Sequence, residues 1–517
     1  MNTAETPSVV ARVWSATLAG IDAIPVELEV HVRSGLPAYT LVGLPQASVR
    51  ESRERVLSAL RSADLPIPRG AVTVNMAPAD VRKEGALFDL PLAAALLAVQ
   101  DVVPRDGLIA ELMVVGELAL DGRVRPVRGV LAVAAAAKEH GRRGVMVPVE
   151  NAAEAALVRG MEVYAVDDLA DAVAVLTGRS TGRSWTTRTN RSFVKGPDLE
   201  DVIGQADARR ALEIAAAGRH NLLFFGPPGA GKTMLARRLP TIMTPLGEEE
   251  ALESTRIHSV AGLMAPGDGL MRERPFRSPH HTVSRTGLVG GGDPPQPGEI
   301  SLAHHGVLFL DELPEFSRSA LEALREPLED GTLMIARSRY RLRWPARVML
   351  VASMNPCPCG KLGLPGDQCT CVSGQVKRYV GRVSGPLLDR IHLHVHVAPV
   401  RVADWEKDTG EPSADVAARV VAARAFRESR GQPADNGTLD AAGLRTWCSV
   451  KGRSADLIRS SVERLGFSAR AISRIRTVAR TIADLAASES IEPDHVAEAI
   501  QFRALERLSR IDESAYA

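Results

Sequence analysis

Residues 226–233 read Gly-Pro-Pro-Gly-Ala-Gly-Lys-Thr. Gly226, Pro227, Pro228, Gly229, Ala230, Gly231, Lys232 and Thr233 satisfy the spacing G-x-x-x-x-G-K-[ST], which suits a polyphosphate. Glycines let consecutive backbone N–H groups close around a β-phosphate. A helix starting at the end of the loop adds the positive end of its dipole. Lys232 is expected to reach the β- and γ-phosphates, and Thr233 to ligate Mg²⁺. Further on, Asp311 and Glu312 follow four apolar residues. Asp311 is expected to hold the Mg²⁺ shell and Glu312 to act as general base on the attacking water. Asn355 closes a third apolar run, where its amide would orient that water. The expected chemistry is hydrolysis of a nucleoside triphosphate with Mg²⁺ as cofactor.

These groups need strands to position them. Leu222–Phe225, Val307–Leu310 and Val348–Ala352 are short apolar runs, each ending in polar residues, as buried parallel strands do when their C-terminal ends face a ligand crevice. The helical run opens at Met234. Around this core, 517 residues with 45% hydrophobic and 24% charged composition describe a soluble globular protein of roughly three domains. Lys plus Arg total 63 against 62 Asp plus Glu, so binding to nucleic acid must rest on a local patch rather than bulk charge. The longest apolar runs, Leu92–Val99 and Val130–Ala137, span about 8 residues where a membrane helix needs about 20. Met1–Val10 carries no leader pattern. With four of its five cysteines clustered, the chain has no disulfide framework. These features predict a cytoplasmic protein without a membrane partner.

Four segments separate by composition. Residues 1–176 mix strands (Val26–Val32, Val72–Met76, Met113–Leu118, Gly144–Val149) with helices (Ser48–Ser62, Leu131–His140), an α+β pattern. Residues 177–197 are polar and basic and read as a linker. Residues 198–400 hold the site. Residues 401–517 are helical in period, most clearly over Ala469–Leu485 and Pro493–Leu508.

The order of the three motifs resembles the AAA+ ATPase fold. Longer stretches sharpen the likeness: PFRSPHHTVSRTGLVGGGDPPQPGEISLAHHGVLFLDELPEF (275–316), ASMNPCPCG (352–360) and RVSGPLLDRIHLHV (382–395). They resemble the magnesium-chelatase-like AAA+ proteins. The ComM/YifB branch of that group is further supported by LPAYTLVGLPQASVRESRERVLSAL and VNMAPADVRKEGALFDLPLA near the N-terminus and SARAISRIRTVARTIADL near the C-terminus. The resemblance implies an α/β AAA+ P-loop core with an α-helical lid. It also implies an α+β N-terminal domain similar to the Lon protease domain (ribosomal S5 domain 2-like). Arg390 matches the family's arginine finger, which reaches the γ-phosphate of a neighbouring subunit, so a homo-hexameric ring is expected. Arg470 matches the sensor arginine that contacts the phosphate of its own chain. Arg382 is a further arginine candidate. The chain departs from the family pattern at His305, where Asn is expected, and at His392, where Asp is expected.

Cys357, Cys359, Cys369 and Cys371 form two C-x-C pairs on one Gly/Pro-rich loop. The spacing leaves two readings open: a structural tetrahedral Zn²⁺ or four reduced thiols. His280 and His281 are adjacent and face different ways, which favours phosphate or subunit contacts over a metal. Arg337–Trp344 (RSRYRLRW) alternates basic and aromatic residues, as a β-hairpin offering cations and stacking rings to a nucleic-acid backbone would.

Three functions compete. A Lon-like protease needs a Ser nucleophile activated by Lys. Leu87 stands where that Ser would be, Leu131 falls near the place of the Lys, Lys138 comes about seven residues too late, and Ser62 lies in the wrong context. The N-terminal domain is therefore read as non-catalytic. A magnesium-chelatase motor would lack the long N-terminal domain, and no tetrapyrrole partner is expected. The ComM likeness implies the third function. This is an ATP-driven motor acting on branched or single-stranded DNA, with branch migration or helicase activity in homologous recombination and natural transformation.

Overall fold

The computed structural model describes residues 10–181, 185, 196–337, 340–364, 368–399 and 410–503. Most of the segment 177–197 and the end of the helix expected to Leu508 lie outside these residues.

The N-terminal part is built on a seven-stranded sheet. Its strands are β1 (Val10–Ala19), β2 (Asp22–Arg33), β3 (Ala38–Val42), β4 (Ala71–Ala77), β5 (Leu112–Val114), β6 (Gly144–Pro148) and β7 (Glu162–Val166). They lie in the order β3-β4-β2-β1-β5-β6-β7, antiparallel at β1–β2 and β2–β4 and parallel elsewhere. The alternation in VELEVHV places Val26, Leu28 and Val30 inside. Helix α1 (Ala47–Ser62) turns Val49, Ser52, Val56, Ala59 and Leu60 inward and leaves its Arg/Glu face in water. Helix α2 (Asp89–Val99) has no polar stripe and is buried along nearly its whole length. Asp89, fully buried, is held by Arg55 through bonds of 2.6 and 2.9 Å. Helix α3 (Val130–Glu139) is largely buried as well. The run expected as one strand over Met113–Leu118 is two, broken at Gly116, where an added Cβ would lie 2.9 Å from Val124.

The second sheet contains β8 (Leu222–Phe225), β9 (Phe276–Arg277), β10 (Val307–Leu310), β13 (Met349–Met354) and β14 (Leu393–His396) in the order β9-β10-β13-β8-β14, all parallel. Between β10 and β13 the chain makes an antiparallel hairpin, β11 (Thr332–Arg337) and β12 (Tyr340–Pro345). Both faces of the sheet are covered, which is why its strands read as unbroken apolar runs. Leu222, Phe224, Val307, Phe309 and Val351 face a core completed by α4 (Ala206–Gly218), α5 (Lys232–Ile242) and the C-terminal helices. Leu223, Phe225, Leu308, Leu310 and Ala352 face a second core that includes Trp344 of the hairpin. The C-terminal helices are α7 (Ser413–Ser429), α8 (Gly452–Leu465), α9 (Ala469–Leu485) and α10 (Pro493–Gln501); α7 and α9 lie against α4, and α7 also against α5.

The two sheets meet along α6 (Glu248–Ala261). Gly129 N–H donates to Ser259 O at 3.2 Å, Ser259 Oγ donates to Glu154, and Arg159 pairs with Glu248 at 2.5 Å. The β1–β2 turn lies by the hairpin: Leu18, Ile21, Ala23 and Leu342 all pack against the second core, and a Cβ added at Gly20 would lie 3.9 Å from the Leu342 side chain.

Candidate functional site

The loop after β8 wraps the start of α5. Gly229 and Gly231 take φ of +77° and +92°, which exclude most side chains. At Gly226 an added Cβ would come within 2.1 Å of the Val397 carbonyl oxygen beyond β14. Lys232 is 8% exposed, and its Nζ donates to Gly226 O (2.7 Å), Pro227 O (2.8 Å) and Asn355 Oδ1 (3.0 Å). Burial pushes this amine below its ordinary range, against the pull of Asp311 and Glu312. Lys232 thus rests on carbonyls that a phosphate would replace. Thr233 Oγ1 donates to Asp311 Oδ2 at 2.8 Å. Hydroxyl and carboxylate meet where an Mg²⁺ ion accepts both as oxygen ligands. The donor set fits Mg-ATP: backbone N–H groups and an ammonium for phosphate, hard oxygens for the cation.

Glu312 sits two residues past the end of β10 with φ +55°, a left-handed conformation uncommon for a side chain of this kind and typical of strained sites. Its N–H donates to Ser353 Oγ at 3.2 Å, and Ser353, fully buried on β13, donates to Asp311. Ser353 therefore ties the two acids to the neighbouring strand; sequence reasoning missed it, because nothing local marks a buried serine as the partner of a residue 42 positions away. Half-exposed Glu312 also faces His281, whose Nδ1 lies 3.6 Å from its carboxylate. The His280–His281 pair accordingly reaches the acid side of this site.

The arginines lie elsewhere. Asn221, just before β8, donates from Nδ2 to Arg390 O at 3.0 Å. The four residues of β8 span about 13 Å, so Arg390 stands at the end of the sheet opposite Lys232. Its guanidinium is held by Glu329 and by Pro386 O (2.6 Å). Arg470, 62% exposed, pairs with Asp389 at 3.3 Å. It is Arg390's neighbour, and the expected contact of Arg470 with the phosphate of its own chain is not made in this arrangement. Spacing along the chain could not reveal this, because α9 meets the sheet only through tertiary packing. Arg382 pairs with Glu315 at 2.9 Å, beyond the acid pair.

Three of the four clustered sulfurs are mutually close: Cys357–Cys359 3.4 Å, Cys359–Cys369 3.6 Å and Cys357–Cys369 3.7 Å. Cys371 completes a group whose sulfurs lie within 4.8 Å of one another. A tetrahedron of Zn–S bonds near 2.3 Å has edges of about 3.8 Å, so the set fits zinc. The backbone N–H groups of Lys361 and Thr370 face Cys359 and lower its pKa to about 6, whereas those of Cys369 and Cys371 are raised, so the thiols share their protons unevenly.

Glu253, His304 and His305 form a second group of metal-ligand type. Here hydrogen bonding argues otherwise. Arg347 N–H donates to His304 Nδ1 at 2.9 Å, so neutral His304 carries its proton on Nε2, 2.9 Å from Glu253, with no lone pair left for a metal. The departure His305 takes φ +58°, a conformation that Asn tolerates better, and its Nε2 lies 2.9 Å from the same carboxylate.

The hairpin corrects one expectation. Arg341 and Arg343 are exposed, but Trp344 is fully buried in the core and presents no ring to a base. In the N-terminal part, Leu87 lines a cavity of about 540 Å³ at the junction of the two sheets, together with Glu84, Arg128 and Leu342. Among the described residues lining it none is Ser, Thr, Cys or Lys. Lys138 donates to Arg159 O at 2.7 Å.

Fold and site define an ATPase of the AAA+ class. Family models match in three stretches: "Magnesium chelatase, subunit ChlI" over 198–405, "Subunit ChlI of Mg-chelatase" over 28–151 and "Magnesium chelatase, subunit ChlI C-terminal" over 410–503. The chain is 44% identical over 491 residues to YifB of Escherichia coli, covering 95% of this chain and 96% of that protein. It is 42% identical over 505 residues to the competence protein ComM of Haemophilus influenzae, covering 96% and 98%. A shorter likeness, 28% over 160 residues and 28% of each chain, links it to Lon protease 2 of Bacillus subtilis. The protein belongs to the ComM/YifB branch of the magnesium-chelatase-like AAA+ ATPases.

Proposed function

We propose that the protein is an ATP-hydrolysing ring motor that moves DNA, with branch migration in homologous recombination as its task. The observation that carries the reading is the convergence of Lys232, Thr233, Asp311 and Asn355 at one rim of a parallel sheet. The ATPase class supports an oligomer, and the competence protein ComM supports DNA as the partner. Arg390 and Arg470, side by side at the opposite end of the sheet, suit a phosphate bound by a neighbouring subunit, so both are assigned to act in trans in a homo-hexamer. Exposed Arg341 and Arg343 are assigned to the DNA backbone.

When bound, Mg²⁺ supplies charge neutralisation of the phosphates. The residues do the rest. The 226–233 loop orients the chain of phosphates, Lys232 exchanges its carbonyl partners for phosphate oxygens, Glu312 takes the proton of the attacking water, and Asn355 holds that water in line. The four cysteines are assigned a structural zinc. The N-terminal domain is assigned a non-catalytic role, supported by Leu87 at the place of the Lon-type serine.

The test is ATP hydrolysis and branch migration on Holliday-junction-like, forked, duplex and single-stranded DNA. Stimulation by DNA is expected. Lys232→Ala and Glu312→Gln should both abolish turnover, while Glu312→Gln still binds ATP. A rate indifferent to every DNA, or turnover surviving either substitution, refutes the reading.

A further inference from the structure

The four-cysteine loop is not a remote staple. It begins two residues after Asn355, the residue whose Oδ1 accepts from Lys232 Nζ. Cys357 is fully buried. Gly360, with φ +77° and its N–H donated to Cys357 O at 3.0 Å, lies against the phosphate loop: an added Cβ would come 2.6 Å from Pro228 Cδ and 3.9 Å from the Asn355 carboxamide carbon. The chain leaves the cysteines into a helix, Ser373–Val380, whose buried Tyr379 meets the Asn355 backbone N–H through its hydroxyl. Entry, middle and exit of the loop therefore all bear on Asn355 or Pro228.

Thiolates this close repel one another unless a cation sits among them, and a metal knuckle is a folded unit only while loaded. We propose that the cysteine knuckle is a positioning element of the ATP site. Loaded, it holds Asn355 on Lys232 and Gly360 on Pro228; unloaded, it releases both, so that turnover falls while nucleotide is still held by Lys232, Thr233 and the glycine backbone. The inference rests on the zinc and ATP readings given above. Gly360 and the cysteines act here as positioning residues, through Asn355 and the phosphate loop.

The experiment uses the full-length protein and measures zinc per chain by elemental analysis, binding of a fluorescent ATP analogue, and kcat and KM for ATP. Four forms are compared: wild type, Cys369→Ser/Cys371→Ser, Gly360→Ala and Lys232→Ala. Wild type is expected to carry one zinc per chain. The double cysteine variant should lose it, with kcat down by at least about tenfold and nucleotide affinity changed by less than about threefold. Gly360→Ala should keep the zinc and still lose kcat, because its methyl displaces Pro228. Wild type free of zinc, or zinc loss with kcat intact, overturns the proposal. So does loss of ATP binding in step with kcat in the cysteine variant, which would mark a merely structural role, and so does Gly360→Ala with full zinc and full kcat. Lys232→Ala separates the two readings: if it alone keeps turnover, the ATP site assignment fails rather than the knuckle.

Discussion

Acid is expected to loosen the joint between the parallel sheet and the C-terminal helices. His220, His392 and His394 are buried there, and all three have pKa values pushed below the ordinary histidine range by burial, with the cations Arg474 and Arg503 adding to it. His220, lowered to about 3, bonds through Nε2 with Thr481 Oγ1 of α9 at 2.7 Å, and its ring lies 4.8 Å from that of His392, tilted by 58°; Asp435 pulls weakly the other way. The sign follows from proton counting. Well above pH 6.5 neither state binds a proton and nothing is lost. Below it the unfolded chain gains a proton that folded His220 refuses until about pH 3, so stability drains across that window. At pH 5 the loss from His220 alone is about 2 kcal/mol, from an unfolded value near 6.5, and the other two histidines add in the same direction. Hydrogen exchange of the α9 amides at pH 7.5 and 5.0, corrected for intrinsic rates, reads this as a lower opening free energy. Buried Asp89 titrates with the opposite sign, its pKa raised to about 6 mainly by burial, but it belongs to the other sheet. The informative comparison is therefore with His220→Gln, which should flatten the acid loss by about 2 kcal/mol. An identical pH dependence in the two proteins refutes the argument.

Other outcomes follow from the site. Glu312→Gly should abolish turnover yet leave the protein about 1 kcal/mol more stable than Glu312→Ala, because glycine accepts φ +55° without penalty; urea titration of the two variants checks it. Arg390→Ala and Lys232→Ala should each be inactive alone, whereas rings mixed from both should recover part of the ATPase rate, since one subunit then supplies the arginine and its neighbour the lysine. Arg341→Glu/Arg343→Glu should weaken DNA binding by at least about tenfold at low salt and reduce its salt dependence, with ATP hydrolysis in the absence of DNA unchanged.

The phosphate loop and the two acids were legible because their chemistry is written in consecutive residues. An apolar quartet, a glycine-rich turn and a Lys-Thr pair allow little else locally, and both covered faces of the sheet erase any alternation that might mislead. Helix α1 and strand β2 were readable for the same reason, from period alone. Legibility ended where partners are distant in sequence. Arg470 is 238 positions from Lys232, and only the docking of α9 shows that it sits by Asp389 instead. Trp344 reads as a surface ring because arginines crowd the run before it, but the hairpin's two-residue period turns it inward with Leu333 and Ile335. Ser353 and His281 stand in stretches that carry the family likeness, but their partners Asp311 and Glu312 emerge only through strand order and loop placement.

The closeness of Leu342 to Gly20 in the β1–β2 turn has a mechanical consequence. A hairpin standing alone would bend under a pull on its tip. Here its back is braced by the turn of β1 and β2, a pair in ten-residue register, and a ladder of that length is stiff along its strands. A load on the hairpin strands would therefore pass into the N-terminal sheet, which couples the two sheets mechanically.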